Sequence, residues 1–441
     1  MTLNISKLEL ALSQKINTSA SNIEILAASR ALEKLKNGLV STVATLADLP
    51  SPTISIGQLY FVEADGLLYY CSDALFGFTP ITTTSITTLW TWGGETGNGQ
   101  LGTGDSTARS SPVTTAGGGT NWSKISIGVE HSIAVKTDGT LWTWGHGGSG
   151  RLGSNTTASR SSPGTTAGGG TNWRAADAGA CHSIAVKTDG TLWTWGWDGY
   201  GLLGTNYAGS TVSPVTTAGG GTNWCLASAG FGHSIAVKTD GTLWTWGKGS
   251  FGRLGGGTIS NRSSPGTTAG GGTNWCAIAA GCLHSLALKT DGTLWTWGCA
   301  VGGGAGTSTT SPVTTAGGGT NWKSINSDKT GGIPFISAIK TDGTLWTWGS
   351  NNCGQLGDGT TTYRSSPVTT AGGGTNWCQS SSSYRNTAAI KTDGTLWTWG
   401  ACYCGVFGSR SSPGSLNIGN NNWCSVSMGK RYLHALLSKT L

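Results

Sequence analysis

Leu141-Trp142-Thr143-Trp144-Gly145 is the stretch that decides the fold, because the same five residues recur through most of the chain. Copies begin at Leu89, Leu141, Leu192, Leu243, Leu294, Leu345 and Leu396, 51 or 52 residues apart. A repeat period of roughly 20 to 50 residues is typical of solenoids and propellers, in which each unit buries its apolar face on the next. The seven copies therefore predict seven equivalent units.

Each repeat contains the pattern of a β-hairpin. The segment His131 to Lys136 alternates with period two, as a strand does, and Asp138-Gly139 separates it from the next Leu-Trp-Thr-Trp-Gly. Short strands around the Gly-x-Leu-Gly and Asn-Trp elements should complete a four-stranded sheet. The chain has 22 Trp, and fourteen of them occur in pairs on one face of the repeated strand. We expect these rings to pack one sheet on the next.

The two ends of the repeat region complement each other. The first copy is preceded by Thr87-Thr88 where later copies have Lys-Thr-Asp-Gly, and His434 to Leu441 resembles the strand that the first copy lacks. Pairing these segments would close a ring and remove the exposed edges of an open array. We therefore predict a mainly β fold with a seven-bladed propeller over residues 84–441. The residues expected at the closure are Leu89, Trp90, Trp92, His434, Leu436 and Lys439.

The first 83 residues differ in pattern from the repeats. Residues 1–38 predict two short helices, because Ser6-x-x-Glu9 and Ser21-x-x-Glu24 are capping boxes. Residues 39–83 predict a small β module with a hairpin at Asp65-Gly66. The helices either pack on their own domain or attach the protein to a partner as an oligomer. Their apolar stripes are Leu8, Leu12, Ile16, Ile25, Leu32 and Leu35.

Composition argues against several classes of function. Only 11% of the residues are charged and the net charge is +7, without the Lys/Arg runs of a nucleic-acid-binding surface. Cysteine at one repeat position (Cys225, Cys276) exchanges with serine (Ser123), which does not fit a disulfide framework. No stretch approaches 18 apolar residues and the N-terminus has no signal-like segment. We expect synthesis in a reducing cytoplasm and no membrane insertion.

Two resemblances follow from these motifs. Trp-Gly, Gly-x-Leu-Gly, Ser-Pro and Gly-x-x-His-Ser-x-Ala-x-Lys together resemble the repeat of the regulator-of-chromosome-condensation (RCC1-like) propellers over residues 84–441. The founder of that family is a guanine-nucleotide exchange factor that docks on nucleosomes through a β-wedge and a basic tail, and this sequence has neither. Residues 47–73 resemble the small β module near the N-termini of fibre, whisker and neck-associated proteins of tailed phages.

The sequence predicts no catalytic residue, metal site or cofactor. One histidine occurs in each of five repeats, at His131, His182, His233, His284 and His434. Equivalent positions in different blades favour structural hydrogen bonds over a shared metal. Cys402 and Cys404 could meet Cys353 and Cys299 on one face, but Cys-x-Cys lacks the spacing of a zinc site, which favours free thiols.

The loops after Trp-Gly vary most among the repeats and are the candidate binding loops. Their candidate residues are His146, Trp197, Asp198, Tyr200, Lys248, Phe251, Asn351 and Tyr403. Aromatic side chains on exposed loops suit contacts with protein or carbohydrate, although drifted residues that merely fill space would give the same pattern.

Two functional hypotheses follow from the resemblances. The first is a non-enzymatic virion structural protein of a tailed phage, forming a fibre, tail or head appendage. Its N-terminus would attach an oligomer to other virion proteins, and its propeller would bind a host-surface glycan or protein. The alternative is an intracellular regulator that binds a GTPase or chromatin.

Overall fold

A computed structural model of the chain shows seven four-stranded antiparallel sheets arranged as the blades of a closed propeller. It describes the strands at 41–43, 59–62, 67–73 and 77–81, and residues 85–94, 97–117, 119–299, 308–315, 319–330, 334–401, 409–416 and 422–440. The helices predicted at residues 1–38, with all six of their anchoring residues, and Tyr403 lie outside these ranges. No helix in the described part is long and apolar enough to cross a membrane.

The blades are numbered here by the order of their Leu-Trp-Thr-Trp-Gly strands, and each has four strand positions. The inner strands are Trp423–Met428 in blade 1, then Trp122–Ile127, Trp173–Ala178, Trp224–Ala229, Trp275–Ala280, Trp322–Ser327 and Trp377–Ser383. The second strands are Tyr432–Thr440, His131–Lys136, His182–Lys187, His233–Lys238, His284–Lys289, Phe335–Lys340 and Asn386–Lys391. The third strands are Ser85–Gly93, Leu141–Gly145, Leu192–Gly196, Leu243–Gly247, Leu294–Gly298, Leu345–Gly349 and Leu396–Gly400. The outer strands are Arg109–Thr114, Arg160–Thr165, Thr211–Thr216, Arg262–Thr267, Thr309–Thr314, Arg364–Thr369 and Arg410–Ser415.

The outermost strand of each blade is not where the sequence analysis placed it. Gly-x-Leu-Gly forms no strand; in blades 2, 3 and 4 it begins in 3-10 helices at Gly148–Gly150, Gly199–Gly201 and Ser250–Gly252. The fourth strand instead contains the Ser-Pro motif, and proline is tolerated there because an outer strand has a free edge. Gly150 and Gly153 have φ of 81° and 64°, a conformation that favours a turn.

The predicted closure of the ring is confirmed. The third strand of blade 1, Ser85–Gly93, lies between the C-terminal strand Tyr432–Thr440 and Arg109–Thr114. Leu89 and Leu436 pack together against Trp122 and Trp144 of blade 2. Trp90 and Trp92 join the core between blades 7 and 1. Both ends of the repeat region therefore build a single blade.

The expected equivalence of His434 with the other histidines is wrong by two residues. Met428 pairs with Leu433, as Ile127 pairs with Ser132, so Tyr432 stands where blade 2 has His131. His434 takes the place of Ile133, and its ring meets Trp144 edge-on at 5.3 Å between centroids. The imidazole is satisfied at this buried position because its Nε2 lies 2.8 Å from the hydroxyl of Ser132 in blade 2. Leu437 consequently replaces the lysine of the other blades, and Lys439 lies two residues further along the strand.

The core lies between the blades and consists mainly of tryptophan. In blade 3, Trp173 contacts Trp193 and Trp195 with centroids 6.0 and 6.3 Å apart. These rings pack on Ile133 and Val135 of blade 2. Each buried tryptophan removes roughly 150 to 250 Å² from water, so three per blade provide most of the apolar burial.

A lysine covers the half-buried edge of each tryptophan group in blades 2 to 7. The Nζ of Lys187 lies 4.7 Å from the ring centroid of Trp173 and 4.4 Å from that of Trp193. The aliphatic stem can cover the rings while the charge remains near water and gains a cation–π contact. This explains why the second strands of these six blades end with lysine.

The small N-terminal sheet is a separate compact unit from the propeller. Its strands are Ser41–Val43, Leu59–Val62, Leu67–Asp73 and Gly77–Ile81, in that order across the sheet. The strands at 59–62 and 67–73 pair antiparallel, which confirms the predicted hairpin.

We expect Gly153→Ala to destabilise the propeller much more than Gly168→Ala. Both glycines have positive φ, 64° and 88°, so both variants carry the backbone cost of about 1 kcal/mol. A Cβ at Gly153 would also lie 2.7 Å from Nε1 of Trp195, whereas a Cβ at Gly168 meets nothing within 4 Å. Overpacking should add about 1 to 3 kcal/mol at Gly153. Urea unfolding followed by tryptophan fluorescence measures the difference, and equal losses would contradict the proposed role of the glycine.

Candidate functional site

The two faces of the propeller differ in how much their loops vary. Successive strands run in opposite directions, so the connections of each blade alternate between the faces. One face, termed the turn face, carries the Thr-Asp-Gly turns (137–140 in blade 2) and the Gly-rich connections between blades (166–172). The other, termed the variable face, carries the connections 128–130 and 146–159 and their equivalents. The repeated motifs therefore lie mostly on one side of the ring.

The turn face is built from nearly identical hydrogen bonds. Oδ1 of Asp138 accepts from the amide and the hydroxyl of Thr140, at 2.9 and 2.6 Å, and other blades repeat both contacts. The hydroxyl of Thr140 in turn accepts from Nε1 of Trp142. This confirms that the Thr-Asp-Gly aspartates hold hairpin turns. Because the repeat fixes the residues of these turns, the turn face has few positions that could vary to bind a specific partner.

The exposed large apolar side chains of the described residues all lie on the variable face. They are Trp197, Tyr200 and Tyr207 in blade 3, Phe231, Phe251 and Ile259 in blade 4, and Tyr363 in blade 6. We call the six in blades 3 and 4 the aromatic patch. Trp197 meets Tyr200 edge-on at 5.7 Å between centroids, and Nζ of Lys248 lies 4.6 Å from the Tyr200 centroid. The contact of Lys248 with Tyr200 thus joins the loops of two adjacent blades.

The candidate binding residues divide into exposed and structural ones. Trp197, Tyr200 and Phe251 are exposed, and Lys248 is half-buried beside them. Asp198 and Asn351 are buried, at 7% and 0% exposure. They accept hydrogen bonds from the amides of the leucines five residues later, which fixes their loops. Their side chains are therefore not offered to a partner.

Several residues of this face were missed from the sequence. Tyr207 and Ile259 lie later in the same loops, and Phe231 belongs to the short connection before the second strand. That connection reads Gly-Val-Glu, Gly-Ala-Cys, Gly-Phe-Gly and Gly-Cys-Leu in blades 2 to 5. Aligning the repeats at this point would have identified it as a second variable segment.

Inner strands line a central channel with a cavity of about 370 Å³. Near its variable-face end, side chains accept hydrogen bonds from the backbone of the next inner strand. Six such links join neighbouring blades: Ser126 with Ala178, Asp177 with Ala229, Ser228 with Ala280, Asn326 with Ser382, Ser381 with Met428, and Ser427 with Ile127. The position between blades 5 and 6 has Ala279, which cannot accept. These polar side chains consequently join the blades.

An ion pair crosses the channel from blade 6 to blade 3. Nζ of Lys329 lies 2.5 Å from Oδ1 of Asp177, and the side chains of both residues are 16% exposed. Burial tends to raise the pKa of Asp177, but Lys329 and the hydrogen bonds of Ser126 and Ala229 outweigh it, so the pKa is lowered. The adjacent Asp328 is fully buried, and burial raises its pKa. Its Oδ1 holds the loop by accepting from the amides of Thr330 and Tyr384.

The repeated histidines form structural hydrogen bonds between blades, as predicted. Nε2 of His131, His182 and His233 lies 2.7 to 2.9 Å from a serine hydroxyl of the next blade. Ser183 donates its own proton to the carbonyl of Arg151, so it must accept from His131. Burial lowers the pKa of these imidazoles, to about 4 for His182 and about 3 for His284 and His434. They are neutral at physiological pH.

The cysteines in the described part of the propeller form no disulfide. Sγ of Cys225 and Cys378 each lies 3.3 Å from a carbonyl oxygen of the adjacent strand. Burial raises the pKa of both thiols, which disfavours the reactive thiolate. Cys402 and Cys404 lie outside the described residues. Within the described ranges, no group of three or more His, Cys, Asp or Glu is placed to hold a metal ion.

We expect the folded state to lose stability as the pH falls from 6.5 towards 4. The unfolded chain takes up protons at its histidines near pH 6.5, whereas folded His182 resists until about pH 4. Each such histidine should contribute a slope of about 1.4 kcal/mol per pH unit in this window. Urea unfolding at several pH values should show a smaller slope for His182→Gln than for the parent. Thr157→Gln, at an exposed loop position, serves as the control for the substitution; equal slopes for all three proteins would contradict the assignment.

Comparison with known proteins identifies the repeat. Two profiles for the regulator of chromosome condensation (RCC1) repeat match the chain, one at residues 88–135, 138–186, 240–288 and 342–390, the other at 122–151, 173–202 and 225–253. The ultraviolet-B receptor UVR8 of Arabidopsis thaliana is 30% identical over 317 residues, covering 70% of this chain and 72% of the receptor.

Two further relatives differ in extent. The human E3 ubiquitin-protein ligase HERC2 is 29% identical over 63% of this chain, but that match spans only 6% of the ligase. The solved structure of Prp20p from Saccharomyces cerevisiae superposes with a TM-score of 0.68 at 17% identity, covering 82% of this chain and 93% of Prp20p. The structural likeness concerns the fold alone. None of these three relatives is a virion protein.

Proposed function

Because the chain belongs to the regulator of chromosome condensation (RCC1) repeat family, we propose that it is a non-enzymatic scaffold whose variable face binds another protein. The observation that carries this proposal is the aromatic patch. Six large apolar side chains are exposed on the loops of two adjacent blades, although the apolar side chains of the repeated strands are buried between the blades.

Exposed aromatic groups beside a half-buried cation have the composition of a protein-binding hot spot. Tryptophan, tyrosine and arginine are enriched where binding energy concentrates, because large rigid side chains bury much area at low entropic cost. Trp197 and Tyr200 hold each other in place by their edge-on contact, and Lys248 lies against the Tyr200 ring. The surface is therefore already ordered before a partner arrives, which reduces the entropic cost of binding.

The patch gives a direct test of the proposal. We expect the double variant Trp197→Ser/Tyr200→Ser to lose most of the partner proteins recovered by cross-linking and mass spectrometry. Removing two hot-spot aromatic side chains should weaken binding by roughly 100-fold or more. Tyr363→Ser is the matched control, because Tyr363 is an equally exposed tyrosine on the same face in blade 6. Loss of the same partners from both variants, or from neither, would refute this location.

Regulation of a GTPase or of chromatin is the more specific form of this proposal. Prp20p, whose fold is similar, has been described together with its binding to Gsp1p and histones. We expect a regulator of this kind to accelerate nucleotide release from a GTPase, or to bind DNA or histones with an affinity that falls steeply with salt. A nucleotide-release assay and a salt titration of DNA binding separate the two. If the protein is inactive in both assays, the role in regulating a GTPase or chromatin is refuted, while the general proposal of a protein-binding scaffold stands.

The virion hypothesis remains a prediction without support from the relatives found. It rests on residues 47–73, of which the structure describes only the strand segments 59–62 and 67–73. The partners expected through the N-terminal segment and the oligomeric state likewise remain predictions.

A further inference from the structure

Blade 2 contains a three-residue charge cluster on the variable face. Oε2 of Glu130 lies 3.0 Å from Nδ1 of His146 and 3.6 Å from Nη1 of Arg151. Arg151 is only 6% exposed, and it donates from Nε to the carbonyl of Gly148 and from Nη1 to that of Ala180. The glutamate, with a side chain 36% exposed, supplies the negative charge for this nearly buried guanidinium.

Blade 4 repeats this cluster but lacks its carboxylate. The residues at the three positions are Gly232, Lys248 and Arg253. The backbone is the same, because the amide of Lys248 donates to the carbonyl of Gly232 at 2.8 Å, as His146 does to Glu130 at 2.9 Å. Arg253 donates to the carbonyls of Ser250 and Cys282, which correspond to Gly148 and Ala180. The site thus retains the buried arginine, has a lysine in place of the histidine, and has a glycine in place of the acid.

The two cations of blade 4 have no acidic partner among the described residues. The ion pairs within that part of the chain involve neither Lys248 nor Arg253. Arg253 is 1% exposed, and a buried charge without a counterion is costly. Nζ of Lys248 lies instead over the ring of Tyr200. Nothing in the described fold therefore neutralises this pair.

The position where blade 2 has its glutamate lies directly against both cations of blade 4. A Cβ placed on Gly232 would lie 3.3 Å from Nη1 of Arg253 and 3.6 Å from Cβ of Lys248. Gly232 has no positive φ of the kind that would exclude other residues. The stem of Lys248 covers the position, with Cδ 3.7 Å from the same Cβ. A flexible four-carbon side chain can swing aside to admit an acid.

We propose that an acidic side chain of the partner protein takes the position of the missing glutamate and pairs with Lys248 and Arg253. This inference rests on the proposed function, since the site lies within the aromatic patch: Phe231 directly precedes Gly232, and Tyr200 contacts Lys248. The exposed rings favour a protein segment over a small free acid, because only a segment can cover them while it delivers the carboxylate. Aromatic groups around a charge-assisted ion pair exclude water from it, which strengthens the pair.

The first arm of the test supplies the missing carboxylate from within the chain. Gly232→Glu should raise the Tm by roughly 2 °C above Gly232→Gln, because only the glutamate neutralises the two cations while the glutamine has the same size. Equal melting temperatures for the glutamate and glutamine variants would overturn the assignment of an anion site.

The second arm uses two labelled peptides that differ only in having glutamate or glutamine at the centre of an apolar sequence. Fluorescence anisotropy with the full chain should show at least about tenfold tighter binding of the glutamate peptide. Gly232→Glu and Lys248→Gln should abolish this preference. Lys323→Gln, which removes an exposed lysine outside the site, should retain it and so controls for the net charge of +7. Two results would overturn the proposal. One is that the parent protein shows no preference for the glutamate peptide at peptide concentrations up to about 1 mM. The other is that Gly232→Glu still shows the preference.

The outcomes also separate this inference from the proposed function. Loss of partners in Trp197→Ser/Tyr200→Ser with full retention in Gly232→Glu would leave the binding face in place and refute the acid site. Retention of partners in the aromatic variant would refute the face, while the Tm comparison at Gly232 would still report whether the two cations accept a carboxylate.

Discussion

The packing of three tryptophans of one blade on the aliphatic face of the preceding blade is the interaction on which the rest of the structure depends. In blade 3 these are Trp173, Trp193 and Trp195, facing Ile133 and Val135. The strands are short, so no single sheet could be stable without its neighbours. The same packing explains the glycine of Gly-x-Leu-Gly, since Gly153 lies against the Trp195 ring and leaves no room for a side chain. A ring that depends on identical contacts must repeat them in every blade, which accounts for the near-identity of the motifs.

Because of this repetition, the residues of the turn face are fixed by the fold, whereas the loop residues of the variable face can differ from blade to blade. The Thr-Asp-Gly turn joins the two strands that carry Lys187 and Trp193, so changes there would disturb the cation–π contacts and the core. The variable-face loops leave the same strands at their other ends, where glycines complete the turns. Their outward side chains contribute little to packing between blades. Exposed aromatic residues can accumulate there without weakening the ring, and the aromatic patch of blades 3 and 4 is where they have done so.

The architecture was predictable from the sequence because a periodic pattern encodes it. The failures concern the register of the last strand, the conformation of one repeated motif and a contact that no repeat contains. The C-terminal strand contains His434, and aligning it on the other histidines gave a register two residues out; only the pairing of Met428 with Leu433 reveals that Tyr432 holds the histidine position. Gly-x-Leu-Gly lies between strands in the sequence, which predicts short strands around it, whereas the positive φ values of its glycines favour a turn. Asp177 and Lys329 are 152 residues apart, and neither belongs to a repeated motif. A contact of that kind depends on the closed ring and has no local signature.

The junction between blades 5 and 6 shows how the ring tolerates such irregularity. Ala279 cannot accept the hydrogen bond that links the other inner strands, and Ile336 replaces the serine that receives a histidine in the preceding blades. Two other contacts replace these missing hydrogen bonds at the same junction. His284 pairs instead with Ser327 at the end of the inner strand of blade 6, and the following loop sends Lys329 across the channel to Asp177. Asp177 is itself a member of the ring of links, since its other oxygen accepts from Ala229. The cross-channel ion pair therefore connects the interrupted side of the ring to an intact side.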